Sequence, residues 1–328
     1  MEVSEKIKKE IFAVLEEITN HLMINASLVF FSGLLHGKLG ISLYFFHYWR
    51  YTGNPLFFEY ARHLVDLVKL QINDDYPLDY EYGIVGVGTG FDYLRKYGYY
   101  DAGNDLIQQI DTKIKKALSY ESRVGLLIGF GRYLLSRYEY NATLKDYIIK
   151  IVDPILHSSE QTHNIKNDTF SFLYELYLLD IEKEKIESYL LTSVDMFIND
   201  VQKEPMSWKL FTLIKFSLHP LNKNCSIVVH DLLQNIITQK RTNFTNINDL
   251  QWLLHCEQLL NNSEYQFFLP EINRKIAKNV SSFYLAKLDN LFSENKNFAF
   301  EGGYAGLGLA LLSVLTPDYI SCSKLLNL

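Results

Sequence analysis

Residues 34–49 read LLHGKLGISLYFFHYW, and residues 300–315 read FEGGYAGLGLALLSVL. Each has Gly-x-x-Gly running straight into an apolar stretch: Gly37 and Gly40 in the first, Gly303 and Gly306 in the second. Residues 79–94, DYEYGIVGVGTGFDYL, hold Gly83 and Gly86 in the same arrangement. Residues 123–138, RVGLLIGFGRYLLSRY, hold Gly125 and Gly129. A recurring unit of this kind is the mark of a repeat architecture.

The spacing counts the repeats. Gly40 to Gly86 is 46 residues and Gly86 to Gly129 is 43. Gly129 to Gly306 is 177 residues, or four intervals of similar length. Seven units result, three of them without their glycines. A unit of roughly 44 residues holds two helices and two turns. Runs alternating with period two are sparse, so strands are not expected.

The first unit shows the design. After Gly40 the apolar positions Ile41, Leu43, Tyr44, Phe45 and Phe46 wrap the helix, which marks burial on most sides. Gly53-Asn54-Pro55 breaks the chain. The next helix carries one stripe, Leu64, Leu67, Val68 and Ile72, opposite Glu59, Arg62, Asp66 and Lys69. A buried helix is thus paired with a half-exposed one. The second unit repeats the pair, with Val87–Leu94 buried and 104–118 amphipathic. Such hairpins close naturally into an all-α, (α/α)7 toroid, a single domain over 1–328. The glycines let neighbouring backbones approach closely and permit a positive φ before the buried helices. Free N–H groups at those helix starts offer a place for an anionic or carbonyl-bearing ligand.

Charge and composition narrow the function. A net charge of −6 with scattered Lys and Arg argues against nucleic acid as a partner. The first helix, around Ile7, Ile11, Leu15 and Ile18, has no signal-peptide core, and no apolar run reaches the length of a membrane span. Three widely spaced cysteines give no disulfide framework. A cytoplasmic protein without membrane insertion is expected.

The repeated Gly-x-x-Gly helices and the ending GGYAGLGLALL resemble the lanthionine synthetase C-like family. The second unit is close to that family's Asp-x-x-x-Gly-x-x-Gly pattern, with Asp79 before Gly83 and Gly86. The resemblance covers roughly residues 30–140 and 297–315. It implies an (α/α)7 toroid that adds cysteine thiols to dehydrated residues of a precursor peptide, with one zinc held by two Cys and one His lowering the thiol pKa. It also implies a proton-handling role for Asp79 and for His36, which stands before the first Gly-x-x-Gly. Tyr80, Tyr82, Glu301 and Tyr304 flank the motifs and are expected to face a bound peptide. The partner is then a precursor peptide or a peptide-modifying enzyme.

This sequence departs from the family at the metal. It has no Cys-His-Gly, and its fifth and sixth units read KEPMSWKLFTLIKFSL and NINDLQWLLHCEQLL. Other candidate ligands are Cys225, His230, His255, Cys256 and Cys322. His255 and Cys256 are adjacent within one apolar helix and point about 100° apart. Cysteines in such surroundings are expected to pack as small hydrophobes, so no metal site is expected. Two further readings stand beside a metal-free peptide binder. One is an active cyclase using His36 and Asp79 as base and acid. The other is a glycoside hydrolase using Glu301 with the acids Asp74, Asp75, Asp79 and Glu81.

Overall fold

A computed structural model describes residues 5–73, 75–101, 103–138, 141–158, 166–203, 208–218, 223–238, 247–261, 263–286, 298–316 and 325. These residues are helical or looped, with no strand among them, so the all-α class holds. They fall into two compact units. Residues 1–73 and 233–323 form the first, and residues 74–232 and 324–328 the second.

The first unit contains α1 (Glu5–Asn25), α2 (Lys38–Thr52), α3 (Pro55–Gln71), α12 (Ile247–Leu260), α13 (Leu269–Ala286) and α14 (Tyr304–Leu315). The second contains α4 (Ile84–Lys96), α5 (Asn104–Ala117), α6 (Val124–Tyr138), α7 (Lys145–Leu156), α8 (Asn167–Leu178), α9 (Lys183–Lys203) and α10 (Trp208–Ser217). α11 (Lys223–Thr238) crosses the sequence boundary between them.

Buried and amphipathic helices alternate as the hydrophobic pattern predicts. In α2 every side chain from Lys38 to Tyr48 is buried, whereas α3 buries only Ala61, Leu64, Val65 and Val68. The break between them is built as expected. Gly53 ends α2 with φ +70° and its N–H on Trp49 O. Asn54 then caps α3 by accepting from Leu56 N, with Pro55 in the first turn. Seven buried helices are described: α2, α4, α6, α8, α10, α12 and α14. In the first unit α14 packs on both α2 and α12. In the second, α4 packs on α6, α6 on α8, and α8 on α10.

The hairpin partner of α14 comes from the other end of the chain. α1 packs on α14 and on α13. His21 of α1 stacks on the Tyr304 ring at 5.6 Å. Thr19 Oγ1 and Tyr44 OH share a 2.6 Å hydrogen bond that joins α1 to α2. Tyr60 of α3 donates to Met23 O at 2.9 Å.

The glycines start the buried helices, and Gly302 has the permitted positive φ of 64°, but the glycine directly before each of these helices does not. Gly37, Gly83 and Gly303 are the residues before α2, α4 and α14, with φ of −140°, −96° and −128°. That is extended backbone open to any residue, so a positive φ is not why glycine stands there. Close approach is the reason. A Cβ on Gly40 would lie 2.1 Å from Leu34 O, and one on Gly306 would lie 1.8 Å from Phe300 O. In both cases the obstacle is the carbonyl six residues earlier, which identifies the two loops as copies of one turn.

The same turn closes by hydrogen bonds that reach back seven residues. Lys38 N donates to Phe31 O, Ile84 N to Pro77 O, and Gly306 N to Ala299 O. At least one first-turn N–H group of each of these helices is therefore satisfied by the preceding loop and is not open to an anionic ligand. The fourth copy differs. α6 starts at Val124, so Gly125 lies inside the helix, and nothing stands within 4 Å of a Cβ there. Gly129 is mid-helix against the Tyr80 Cβ. Glycines deeper in the buried helices accept aromatic rings from the neighbouring helix. Gly131 faces Phe172 and Gly308 faces Tyr44.

One polar cluster ties α5 to α6. Asp111 Oδ1 accepts from Tyr133 OH and from Arg137 Nη1, both at 2.6 Å. Burial, with the Asp111 charge beside it, pushes the Tyr133 hydroxyl pKa far up. Asp111→Ala removes the acceptor of Tyr133 OH and the carboxylate partner of Arg137, which keeps its 2.9 Å hydrogen bond to Tyr133 OH, in a mostly buried setting. The expected cost is about 2 kcal/mol by urea denaturation. A change below about 0.5 kcal/mol would show that water replaces the carboxylate fully.

Candidate functional site

The first unit brings two of the sequence-predicted residues together. The loop before α2 and the loop before α14 are tied backbone to backbone: Phe300 N and Glu301 N both donate to Leu35 O, at 3.0 and 3.1 Å. His36 and Glu301 consequently face each other, with Nε2 3.5 Å from Oε2. Both side chains are half-buried. An imidazole with a carboxylate neighbour can take up a proton and have the charge stabilised, the arrangement a general base needs.

Two residues that sequence reasoning missed support this pair. Lys38 opens α2 yet is buried. Its ammonium donates to Val29 O, and to Gln71 Oε1 at 3.4 Å. Ser32 Oγ also donates to Gln71 Oε1. Among the described residues no carboxylate lies within ion-pair reach of Lys38, and burial lowers its pKa. Gln251, fully buried on α12, donates from Nε2 to Phe300 O at 3.4 Å and so steadies the Glu301 loop. Both sit inside apolar helical runs, where a lone polar residue reads as core. The signal that could have found Lys38 is a cation at the positive end of an otherwise apolar helix.

Tyr304 is in the core. It is fully buried, with ring stacking to His21 and Phe298. The expectation that it faces a peptide is corrected by that burial.

The second unit holds the other predicted residues. Asp79 Oδ1 accepts from Tyr82 N at 2.7 Å and from Gly83 N at 3.2 Å. That carboxylate shapes the turn into α4. Tyr80 is also buried rather than presented to a ligand. Its hydroxyl donates to Leu325 O at 3.2 Å, and burial pushes its pKa well up. Tyr82 is half-buried and Glu81 exposed. Asp74 lies outside the described residues. A buried Arg132 on α6, also unanticipated, pairs with Glu175 of α8 at 3.7 Å and donates to Asp168 O at 3.4 Å.

Among the described residues the candidate ligands do not come together as a zinc site. Burial, followed by the Asp195 charge, pushes the Cys225 thiol up to about 12. Cys256 is fully buried, and burial raises its thiol well above the usual range. His230 is exposed beside Asp231, at 3.6 Å. His255 lies within α12 next to Cys256. Cys322 lies outside the described residues. Among the described residues no three His, Cys, Asp or Glu side chains converge as metal ligands would. Zinc–thiolate chemistry needs two or more such donors around one point.

No helix among the described residues is long and apolar enough to cross a membrane. No curated protein matches the chain. A protein-family model described as lanthionine synthetase C-like protein matches residues 31–202, more than half of the sequence.

Proposed function

The chain belongs to the lanthionine synthetase C-like family, and from that premise we propose that it binds a dehydrated or thioether-bearing precursor peptide without using zinc. One observation carries the reading. The loops before α2 and α14 are locked together at Leu35 O, while the donors for a metal are not assembled among the described residues. The reading sets the protein in the cytoplasm, where such a peptide is made, alongside the enzyme that dehydrates it.

The test is metal content followed by peptide affinity. After expression with added zinc, the purified protein is expected to hold well under one zinc per chain. A dehydrated precursor peptide is expected to bind, and His36→Ala or Glu301→Gln to weaken it about tenfold, the loss of one charge-assisted contact. Stoichiometric zinc, or no affinity for any dehydrated peptide, would sink the proposal.

The His36–Glu301 pair favours one second reading, cyclisation without a metal. His36 Nε2 would take the proton of the peptide's cysteine thiol. The thiolate sulfur would bond to Cβ of a dehydroalanine as its C=C π bond opens, and the resulting enolate would be protonated at Cα by the His36 imidazolium, which returns the proton it took and regenerates the base. A positioned base contributes on the order of 10²–10⁴-fold. Ring formation in the native protein that falls by about 100-fold in His36→Ala would establish this reading.

A further inference from the structure

Tyr80 is closed to a free ligand, yet its hydroxyl already holds a peptide carbonyl, one supplied by the chain itself. The acceptor is the backbone oxygen of Leu325, 3.2 Å away and 245 residues further along the sequence. Leu325 belongs to the second unit, although the residues up to 323 belong to the first. It is part of no α-helix, and it is only 4% exposed. A lone residue from a distant part of the chain is thus seated in the second unit by its side chain and by its backbone.

The receiving side is built for this. Tyr80 stands in the turn before α4, which is fixed from within. Asp79 Oδ1 accepts from Tyr82 N and Gly83 N, and Ile84 N closes on Pro77 O. Behind the tyrosine lies Gly129 of α6, where a Cβ would stand 3.2 Å from the Tyr80 Cβ. Glycine there gives the tyrosine its room. Burial, opposed by the Arg132 charge and by a hydrogen bond with Thr89, leaves the Tyr80 pKa well above its usual value. The hydroxyl therefore keeps its proton and remains a donor.

A hydroxyl that donates to a backbone carbonyl reads no side chain, so any peptide can satisfy it. Selectivity comes from the seat for the neighbouring side chain. One seated leucine and one hydrogen bond are a small contact. Such a contact persists because its tether holds the segment at an effective concentration on the order of millimolar. A free segment with the same features can exchange with it. Residues 323–328 read Ser-Lys-Leu-Leu-Asn-Leu, three leucines and no acid.

We infer that the second unit carries a peptide site, in which Tyr80 receives a backbone carbonyl and an aliphatic side chain is seated beside it, and that Leu325 fills this site until a leucine-rich peptide displaces it. The site is separate from the His36–Glu301 pair and does not depend on the function proposed for that pair. It gives the protein a second place to hold a peptide, with a competitor built into its own chain.

The experiment uses full-length chains and the fluorescent hexapeptide Ser-Lys-Leu-Leu-Asn-Leu, read by anisotropy. Leu325→Asn opens the site with a polar side chain of similar size and no charge for Arg132 or Glu175 to answer. Leu325→Ala opens it more gently. Tyr80→Phe is combined with Leu325→Asn, and a second hexapeptide carries the Leu325→Asn change itself. Thermal melting is the folding check.

With the site filled by Leu325 about 99% of the time at a millimolar effective concentration, the opened chain binds the first hexapeptide at about 10 µM, and the native chain about 100-fold more weakly. Adding Tyr80→Phe is expected to weaken the opened chain about fivefold. The second hexapeptide is expected to bind the opened chain at least tenfold more weakly than the first. Melting midpoints of both Leu325 variants are expected within about 3 °C of the native value. Equal affinity of the native and opened chains overturns the inference, as does absence of binding to both opened variants. A midpoint that falls by about 10 °C or more in both variants, and is not restored by the hexapeptide, makes Leu325 a core residue and also overturns it. Affinity for a dehydrated precursor peptide, measured on the same chains, reports separately on the His36–Glu301 reading.

Discussion

Gly306→Ala is expected to be the most damaging small substitution in this chain, with a loss of at least about 3 kcal/mol. A methyl group there would stand 1.8 Å from the Phe300 carbonyl oxygen and 2.6 Å from Gln251 Nε2. The side-chain amide could swing aside. The carbonyl cannot, because Phe300 and its neighbour are bonded to Leu35 O and Gly306 N itself closes the turn on Ala299 O. The clash would push apart the loops that bring His36 to Glu301. Thermal unfolding followed by circular dichroism should show the midpoint falling by roughly 5–10 °C. Gly125→Ala is the control. It lies in a helix with open space around its Cβ, and alanine there should be neutral or stabilising by about 0.5 kcal/mol. If both variants melt within about 1 °C of the native protein, the turns are softer than this packing implies.

Acid should destabilise the protein through one buried histidine. His47 sits in α2 with its ring almost fully enclosed. Burial first, and the Arg50 charge second, depress its pKa from 6.5 to about 3. The unfolded chain takes up a proton on this ring below about pH 6.5, and the folded chain does not. Stability from the neutral ring is thus complete above that pH and is lost as pH falls toward the folded pKa. The slope is about 1.4 kcal/mol per pH unit, for a total of about 4–5 kcal/mol across the window. Asp92 and Glu257 act in the opposite sense at the acid end, because burial raises their carboxyl pKa and favours the folded state when protonated. Comparing the native protein with His47→Leu below about pH 6.5 therefore isolates the contribution of His47. Urea midpoints measured there should fall steeply in the native protein and only weakly in His47→Leu. Parallel slopes in the two proteins would show that His47 is not the group responsible.

The hairpin alternation was legible because burial on all sides and burial on one side leave different patterns. Leu64 and Val68 against Arg62 and Asp66 on α3, and Ile41 through Phe46 on α2, are examples. The helix starts were legible too, since a glycine before an apolar run is rare without a packing cause. What the sequence could not convey was the cause itself. Gly37 and Gly306 look alike whether they serve a positive φ or a passing carbonyl, and only the geometry decides for the carbonyl. His36 and Glu301 were singled out separately. Their pairing depends on Leu35 O receiving two N–H groups from a loop far along the chain, and spacing carries no trace of that. Tyr80 and Tyr304 misled because an aromatic beside a motif is equally suited to a core and to a ligand. Lys38 and Gln251 were hidden by their apolar neighbours.

The pairing of α1 with α13 and α14 has a consequence for the order of events on the ribosome. Residues 1–73 are made before residues 233–323, and α2 and α3 can pack on each other at once, yet the helices that α1 packs on arrive only after residue 233. At about 5–20 residues per second, α1 waits on the order of ten seconds or longer for its partners. During that interval residues 74–232, continuous in sequence, can form their own unit. α1 meanwhile holds an apolar stripe (Ile11, Leu15, Ile18 and Leu22) that α13 and α14 are not yet there to cover. Synthesis therefore passes through a stage in which α1 is made but its apolar stripe is uncovered, and a chaperone that binds apolar helices would find its target there.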